Sequence, residues 1–281
     1  MSNSQLSTLN SQLSTCSPDS ANIILFSAPF DGTTSFRPGA RFGGAAIREN
    51  SYGIESYSPY ADKDLNDLKI ADAGEIELPF GNATRALELI EAQTERILEG
   101  GAKPFMLGGE HLVTLGAVRA VARKYPDLHI LHFDAHADLR DDYQGEKLSH
   151  ATVMRRCWEI VGDRRIFQAG IRSGEREEFA FASKHTSMCK FNLPGDFPLT
   201  NRPVYLSIDL DVLDPAFFPG TGTPEPGGVS FRELLAAILK LEKLNIVAAD
   251  VVELSPHYDP TGVSTMAACK IVREVLMVMH S

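Results

Sequence analysis

The sequence predicts a single α/β domain of three layers, a mainly parallel sheet flanked by helices. Three observations carry this. Short runs rich in Ile, Val, Leu and Phe recur along the chain and are continuous rather than alternating, as in strands buried on both faces of a parallel sheet. Longer stretches with helical spacing lie between several of them. A chain of 281 residues, 43% hydrophobic and 23% charged, can bury a sizeable core.

The strands are expected at Ile23–Phe26, Phe105–Leu107, Ile130–Phe133, Ile166–Ala169, Val204–Ile208 and Ile246–Val252. Among the helices, Thr84–Leu98 sets Leu87, Ile90, Thr94 and Ile97 on one face. Leu112–Ala122 and Phe231–Leu244 read the same way, the second opened by Ser230 with Glu233 three residues on, a capping-box pattern. A last helix covers Ser264–Met279. No linker interrupts this alternation, so residues 21–281 form one domain. Residues 1–20 stand apart. There Asn3-Ser4-Gln5-Leu6-Ser7-Thr8 recurs as Asn10-Ser11-Gln12-Leu13-Ser14-Thr15, a polar repeat with too little apolar surface to pack, expected as a disordered or loosely attached tail.

With 27 basic and 37 acidic residues the formal charge is −10, which argues against a phosphate backbone as partner. Cys16, Cys157, Cys189 and Cys269 include no Cys-x-x-Cys pair, so no disulfide or zinc framework is expected and a reducing cytoplasm is the simplest location. No apolar run is long enough for a membrane span, and the first residues lack the pattern of a signal peptide.

The polar residues that stand out follow strand ends. Phe105–Leu107 runs into Gly108-Gly109-Glu110-His111, and Ile130–Phe133 into Asp134-Ala135-His136-Ala137-Asp138. Val204–Ile208 runs into Asp209-Leu210-Asp211, and Ile246–Val252 into Glu253. Ligands of open parallel sheets bind beyond the carboxyl ends of the strands, so four segments deliver acids and imidazoles to one edge. The alternation in Asp134-x-His136-x-Asp138 and Asp209-x-Asp211 aims each set one way in extended backbone. His111, Asp134, His136, Asp138, Asp209 and Asp211 are therefore expected to converge. Four packed carboxylates repel unless protonated or neutralised by cations, and two divalent ions balance four charges. Carboxylate and imidazole without thiolate suit Mn²⁺-type ions, and zinc fits the ligand types as well. His132 shares parity with Asp134 but lies deeper, and is expected to be a buried, hydrogen-bonded structural histidine. His129, His185, His257 and His280 have no constellation around them.

These motifs resemble the ureohydrolase family, the arginases and agmatinases. The likeness extends through Ser149-His150, Ser207–Pro215, Gly220–Gly228, Val251–Pro256 and the segment Ala28–Arg48, and covers nearly the whole chain after residue 20. The resemblance implies an arginase/deacetylase-like fold and two Mn²⁺ per chain. One ion would take His111, Asp134, Asp138 and Asp209, the other Asp134, His136, Asp209 and Asp211, with Asp134 and Asp209 bridging. It implies a hydroxide held between the metals that attacks the guanidino carbon, with Asp138 orienting it, Glu253 pairing with the guanidinium and His150 moving a proton to the leaving amine. Thr223 would line the guanidino pocket. The stretch Leu139–His150 departs from the arginase pattern and looks agmatinase-like, which points to a small cationic guanidine, agmatine, as the substrate. Asp141, Asp142 and Glu146 are expected to be a solvated loop rather than contacts to its distal end. Guanidinobutyrase, aminopropylagmatine ureohydrolase and arginase activities remain open, as does a non-catalytic polyamine-binding regulator. The family suggests a homo-oligomer, trimer or hexamer, with no nucleic-acid or membrane partner.

Overall fold

A computed structural model describes residues 12–199 and 201–280. Its elements in chain order are β1 (Ile23–Ser27), α1 (Gly43–Asn50), β2 (Tyr57–Ser58), β3 (Lys63–Asp64), β4 (Ile70–Glu75), α2 (Ala83–Glu99), β5 (Lys103–Leu107), α3 (Val113–Lys124), β6 (His129–Phe133), α4 (Val153–Val161), β7 (Ile166–Ile171), α5 (Arg176–His185), β8 (Ser187–Lys190), β9 (Pro203–Asp209), α6 (Phe231–Lys240), β10 (Asn245–Val252) and α7 (Val263–Met279). Eight strands form one parallel sheet in the order β4-β1-β5-β10-β9-β6-β7-β8, and β2 and β3 make a separate antiparallel pair.

All six expected strands and all four expected helices are present. Successive side chains of a strand feed opposite faces, and two apolar clusters result. On one face Leu25, Leu206 and Ile208 pack with Ile47 of α1, Ile238 of α6 and Val272 and Leu276 of α7. On the other Phe26, Met106 and Ile130 pack with Ile90 of α2, Val118 of α3 and Cys157 of α4. This is the three-layer fold the sequence predicts. Ser230 begins α6 as a capping box: its hydroxyl accepts from the Glu233 amide at 3.3 Å, and its own amide donates to the Glu233 carboxylate at 2.7 Å. All four cysteines are free, and no helix among the described residues is long and apolar enough to cross a membrane.

The N-terminal expectation is modified at a few residues. Residues 1–11 lie outside the described residues; of 12–20, Leu13, Thr15 and Cys16 dock against the domain while 17–20 are exposed. Leu13 is wholly buried. The Thr15 amide donates to the Ile70 carbonyl at 2.8 Å, and the Ile70 amide to the Thr15 hydroxyl at 3.0 Å. The reason is β4, which ends the sheet and would otherwise expose an unpaired edge. Thr15 and Cys16 pair with the start of that edge at Ile70, and the burial of Leu13 adds apolar contact.

Candidate active site and metal centre

Strands β5, β10, β9 and β6 are adjacent in the sheet, so the four strand-end segments meet. Backbone geometry then sharpens the convergence. The Gly108-Gly109 turn passes so close to the neighbouring loop that a Cβ on Gly109 would sit 1.9 Å from the Phe30 carbonyl oxygen. Glu253 and His111 grip each other across this turn: the Glu253 amide donates to the Gly109 carbonyl at 2.9 Å, and the His111 amide to the Glu253 carboxylate at 2.8 Å. Asp138 and Glu253 both hold positive φ, at 53° and 66°. Such conformations cost non-glycine residues energy and persist where the surroundings over-determine them.

The buried Nδ1 of His111 has no hydrogen-bond partner. It faces Asp134 Oδ2 at 3.2 Å, Asp138 Oδ2 at 3.3 Å and Asp209 Oδ2 at 3.2 Å. Neighbouring donors around an octahedral ion at about 2.1 Å lie about 3.0 Å apart, so each of these three oxygens lies near that distance from Nδ1. A second set joins Asp134, His136 and Asp211, with His136 Nδ1 at 3.4 Å from Asp134 Oδ1 and 2.9 Å from Asp211 Oδ2. Asp134 reaches both sets through different oxygens, one of the ways in which a carboxylate can bridge. Asp209 approaches the first set through His111 alone; its Oδ1 accepts the Asp211 amide at 2.9 Å. All six residues could thus hold a pair of divalent cations.

His132 falls near the first set, yet both its nitrogens are committed. Gln168 donates to Nδ1 at 3.2 Å, and Nε2 donates to Asp134 Oδ2 at 2.8 Å. It has no free lone pair for a metal, in keeping with a structural histidine.

The electrostatics agree with a site built for cations. Burial pushes Asp138 up to about 7, with the Asp134 charge adding to it. Burial, then Asp211 and Asp134, raise Asp209 well above the usual carboxylate range. For Asp134 burial is outweighed by the surrounding imidazoles, which hold it well below that range. Burial opposes ionisation of His111 and His136 too, but facing carboxylates raise both. Without metal the cluster must share protons to limit its repulsion.

A cavity of about 320 Å³ opens above the cluster. His111, His136, Asp138, Asp209 and Asp211 form its floor, and Thr223, Glu253 and His150 line it as well, so every sequence-derived site residue except the fully buried Asp134 faces it. Burial pushes His150 down to about 4. This departs from a histidine titrating near neutrality; the resting imidazole is neutral and begins as a proton acceptor. Asp141, Asp142 and Glu146 do not line the cavity and are exposed, with Asp141 paired to Arg156 at 2.9 Å.

Sequence reasoning missed several residues here. Ser35 Oγ lies 3.2 Å from His150 Nε2, and the His150 amide donates to the Thr33 hydroxyl at 3.0 Å. Thr33 and Thr34 in turn donate to the buried Glu110 carboxylate at 2.6 and 2.8 Å. Glu110 therefore ties the loop bearing Ser35 to the turn bearing His111. Its place between two motif residues was the available signal. Tyr143 and Arg140 also line the cavity.

Comparison with known proteins agrees with this geometry. The sequence profile of the Arginase family matches residues 21–278. The agmatinase of Bacillus subtilis is 48% identical over 267 residues, 92% of each chain. A solved structure from Clostridium difficile superposes with a TM-score of 0.90 at 49% identity, covering 94% of this chain and 99% of that one. The agmatine ureohydrolase of Thermoplasma volcanium gives 0.85 at 33% identity, over 95% and 93%. The chain belongs to the arginase family of ureohydrolases, enzymes that hydrolyse guanidino C–N bonds.

Proposed function

We propose that this chain is a manganese-dependent agmatinase that hydrolyses agmatine to putrescine and urea. The observation that carries the reading is the cavity itself: a floor of three aspartates and two histidines with Asp134 buried behind them, walled by Glu253 and His150, in a chain 48% identical to an agmatinase. Two divalent cations bound by His111, Asp134, His136, Asp138, Asp209 and Asp211 would supply Lewis-acid activation of water near neutral pH. Glu253 pairs with the guanidinium, whose planar fork matches a carboxylate. Asp138 accepts a hydrogen bond from the attacking water and fixes its direction. Neutral His150, braced by Ser35, accepts a proton and returns it to the departing amine, which leaves only when protonated.

The acidic lining of the cavity favours a cation. Glu175, Glu178 and Glu225 line it, and Arg140 is its sole lysine or arginine among the described residues. Arg140 is already paired, 2.8 Å from Glu175 and 3.6 Å from Glu178. The carboxylate of arginine or guanidinobutyrate would meet acids with no uncommitted base, whereas the amine of agmatine is welcome there.

A panel of agmatine, arginine, guanidinobutyrate and aminopropylagmatine with Mn²⁺, assayed for urea, tests the proposal. Agmatine should be turned over fastest. Faster turnover of arginine would overturn the substrate, and agmatine binding without urea release would favour the regulatory reading.

A further inference from the structure

Below the aspartate cluster, two residues deeper along the strands, a polar row crosses four adjacent strands. Gln168 of β7 pairs in register with His132 of β6, His132 with Ser207 of β9, and Ser207 with Asp250 of β10. All four are wholly buried. A buried polar row is costly unless its hydrogen bonds are complete, and here the donors run in fixed directions. Asp250 has three donors: the Ser207 hydroxyl to Oδ1 at 2.7 Å, and the Tyr205 and Thr114 hydroxyls to Oδ2 at 2.6 and 2.8 Å. Ser207 has spent its single hydrogen on Asp250. It can only accept from His111, whose Nε2 lies 2.9 Å away. The proton of a neutral His111 therefore sits on Nε2, and the lone pair sits on Nδ1, the atom that faces Asp134, Asp138 and Asp209.

We propose that Asp250, acting through Ser207, is the positioning residue that fixes the tautomer of His111 and so sets the affinity of one of the two cation sites. Partners of this kind hold a ligating imidazole in place and raise its basicity. The proposal rests on the reading that the cluster holds divalent cations. It does not rest on the identity of the guanidine, because its test reads metal binding and not urea release.

The contrast among the three donors makes it decisive. Ser207→Ala breaks the link to His111. Thr114→Val and Tyr205→Phe each remove a donor to the same carboxylate but leave that link whole. Mn²⁺ dissociation constants of the full chain, measured by equilibrium dialysis with metal analysis, should show one of two sites weakened about 10- to 100-fold in Ser207→Ala. Thr114→Val and Tyr205→Phe should bind Mn²⁺ within about threefold of the parent while lowering the thermal midpoint. Should Ser207→Ala fail to fold, as circular dichroism of the metal-free protein would report, Asp250→Asn carries the same comparison. Unchanged Mn²⁺ binding in Ser207→Ala, or equal weakening in Thr114→Val, would overturn the proposal.

Discussion

Removing the guanidinium of Arg172 should loosen the site more than its distance from the chemistry suggests. This half-buried side chain follows β7 and donates to the Asp211 and Glu225 carbonyls at 2.7 Å each, with further bonds at 3.1 Å to Val212 and, through Nε, to Glu225. It thereby clamps the turn carrying Asp211 to the segment carrying Glu225. A hydrogen bond from a charged donor is worth about 1.5–3 kcal/mol net. Partial exposure lets water replace some of it, so about 1 kcal/mol for each of the four bonds is reasonable. Arg172→Met should then cost about 3–4 kcal/mol. At about 2–3 °C per kcal/mol, the thermal midpoint should fall by about 6–12 °C. Arg172→Lys should recover at most about a third, because one ammonium cannot span both carbonyl groups. Differential scanning calorimetry on the metal-free protein measures this, since metal binding would add its own stabilisation. A shift under about 2 °C for Arg172→Met, or full recovery by lysine, would refute the clamp.

Three further outcomes are expected. Glu253→Gln should lower kcat/KM for agmatine by about 10²–10³, the loss of a charge-assisted pair worth about 3–4 kcal/mol, with Mn²⁺ content retained; steady-state urea release beside metal analysis checks both. Mn²⁺ affinity should rise with pH between about 6 and 8, because burial pushes the Asp138 carboxyl up to about 7 and a metal must displace that proton; chelator competition across that range measures the slope, and a flat profile would contradict the proton sharing. Deleting residues 1–20 should cost about 2–3 kcal/mol for the lost burial of Leu13 alone and leave the β4 edge open to association, as urea denaturation and light scattering would report.

Much of the fold was legible because β1, β5, β6, β7, β9 and β10 are central and covered on both faces, so they read as unbroken apolar runs. The two edge strands of the sheet were not legible. β4 carries Asp72, Gly74 and Glu75, β8 is only half-buried, and neither presents a continuous apolar pattern. Helices α1, α4 and α5 also escaped: α1 opens on Gly43-Gly44, α4 spans nine residues with Arg155 and Arg156 at its centre, and α5 begins with three charged residues. For the site, strand-end position and parity were enough to gather six candidate ligands. Ser35, Thr33 and Glu110 needed three dimensions, because their contacts with His150 and with each other span up to 117 positions. The neutrality of His150 follows from burial, which spacing does not encode.

The formal charge of −10 acquires meaning only through this geometry. Asp134, Asp138, Asp209 and Asp211 are all buried, and an isolated buried carboxylate would be neutral rather than charged. The fold compensates them unequally. Asp134 is surrounded by imidazoles and stays ionised, while burial and then neighbouring carboxylates push Asp138 and Asp209 up despite the facing His111. The metal-free cluster is therefore less negative than its sequence implies, and two dications would draw the remaining protons off as they bind. The row beneath directs hydrogens rather than sharing them. His132 points its hydrogen at Asp134, and Ser207 can only accept the Nε2 hydrogen of His111, which leaves the lone pair of a neutral His111 on the cluster side. One imidazole there supplies a donor and the other a lone pair, an asymmetry that an apolar layer under the same aspartates could not create.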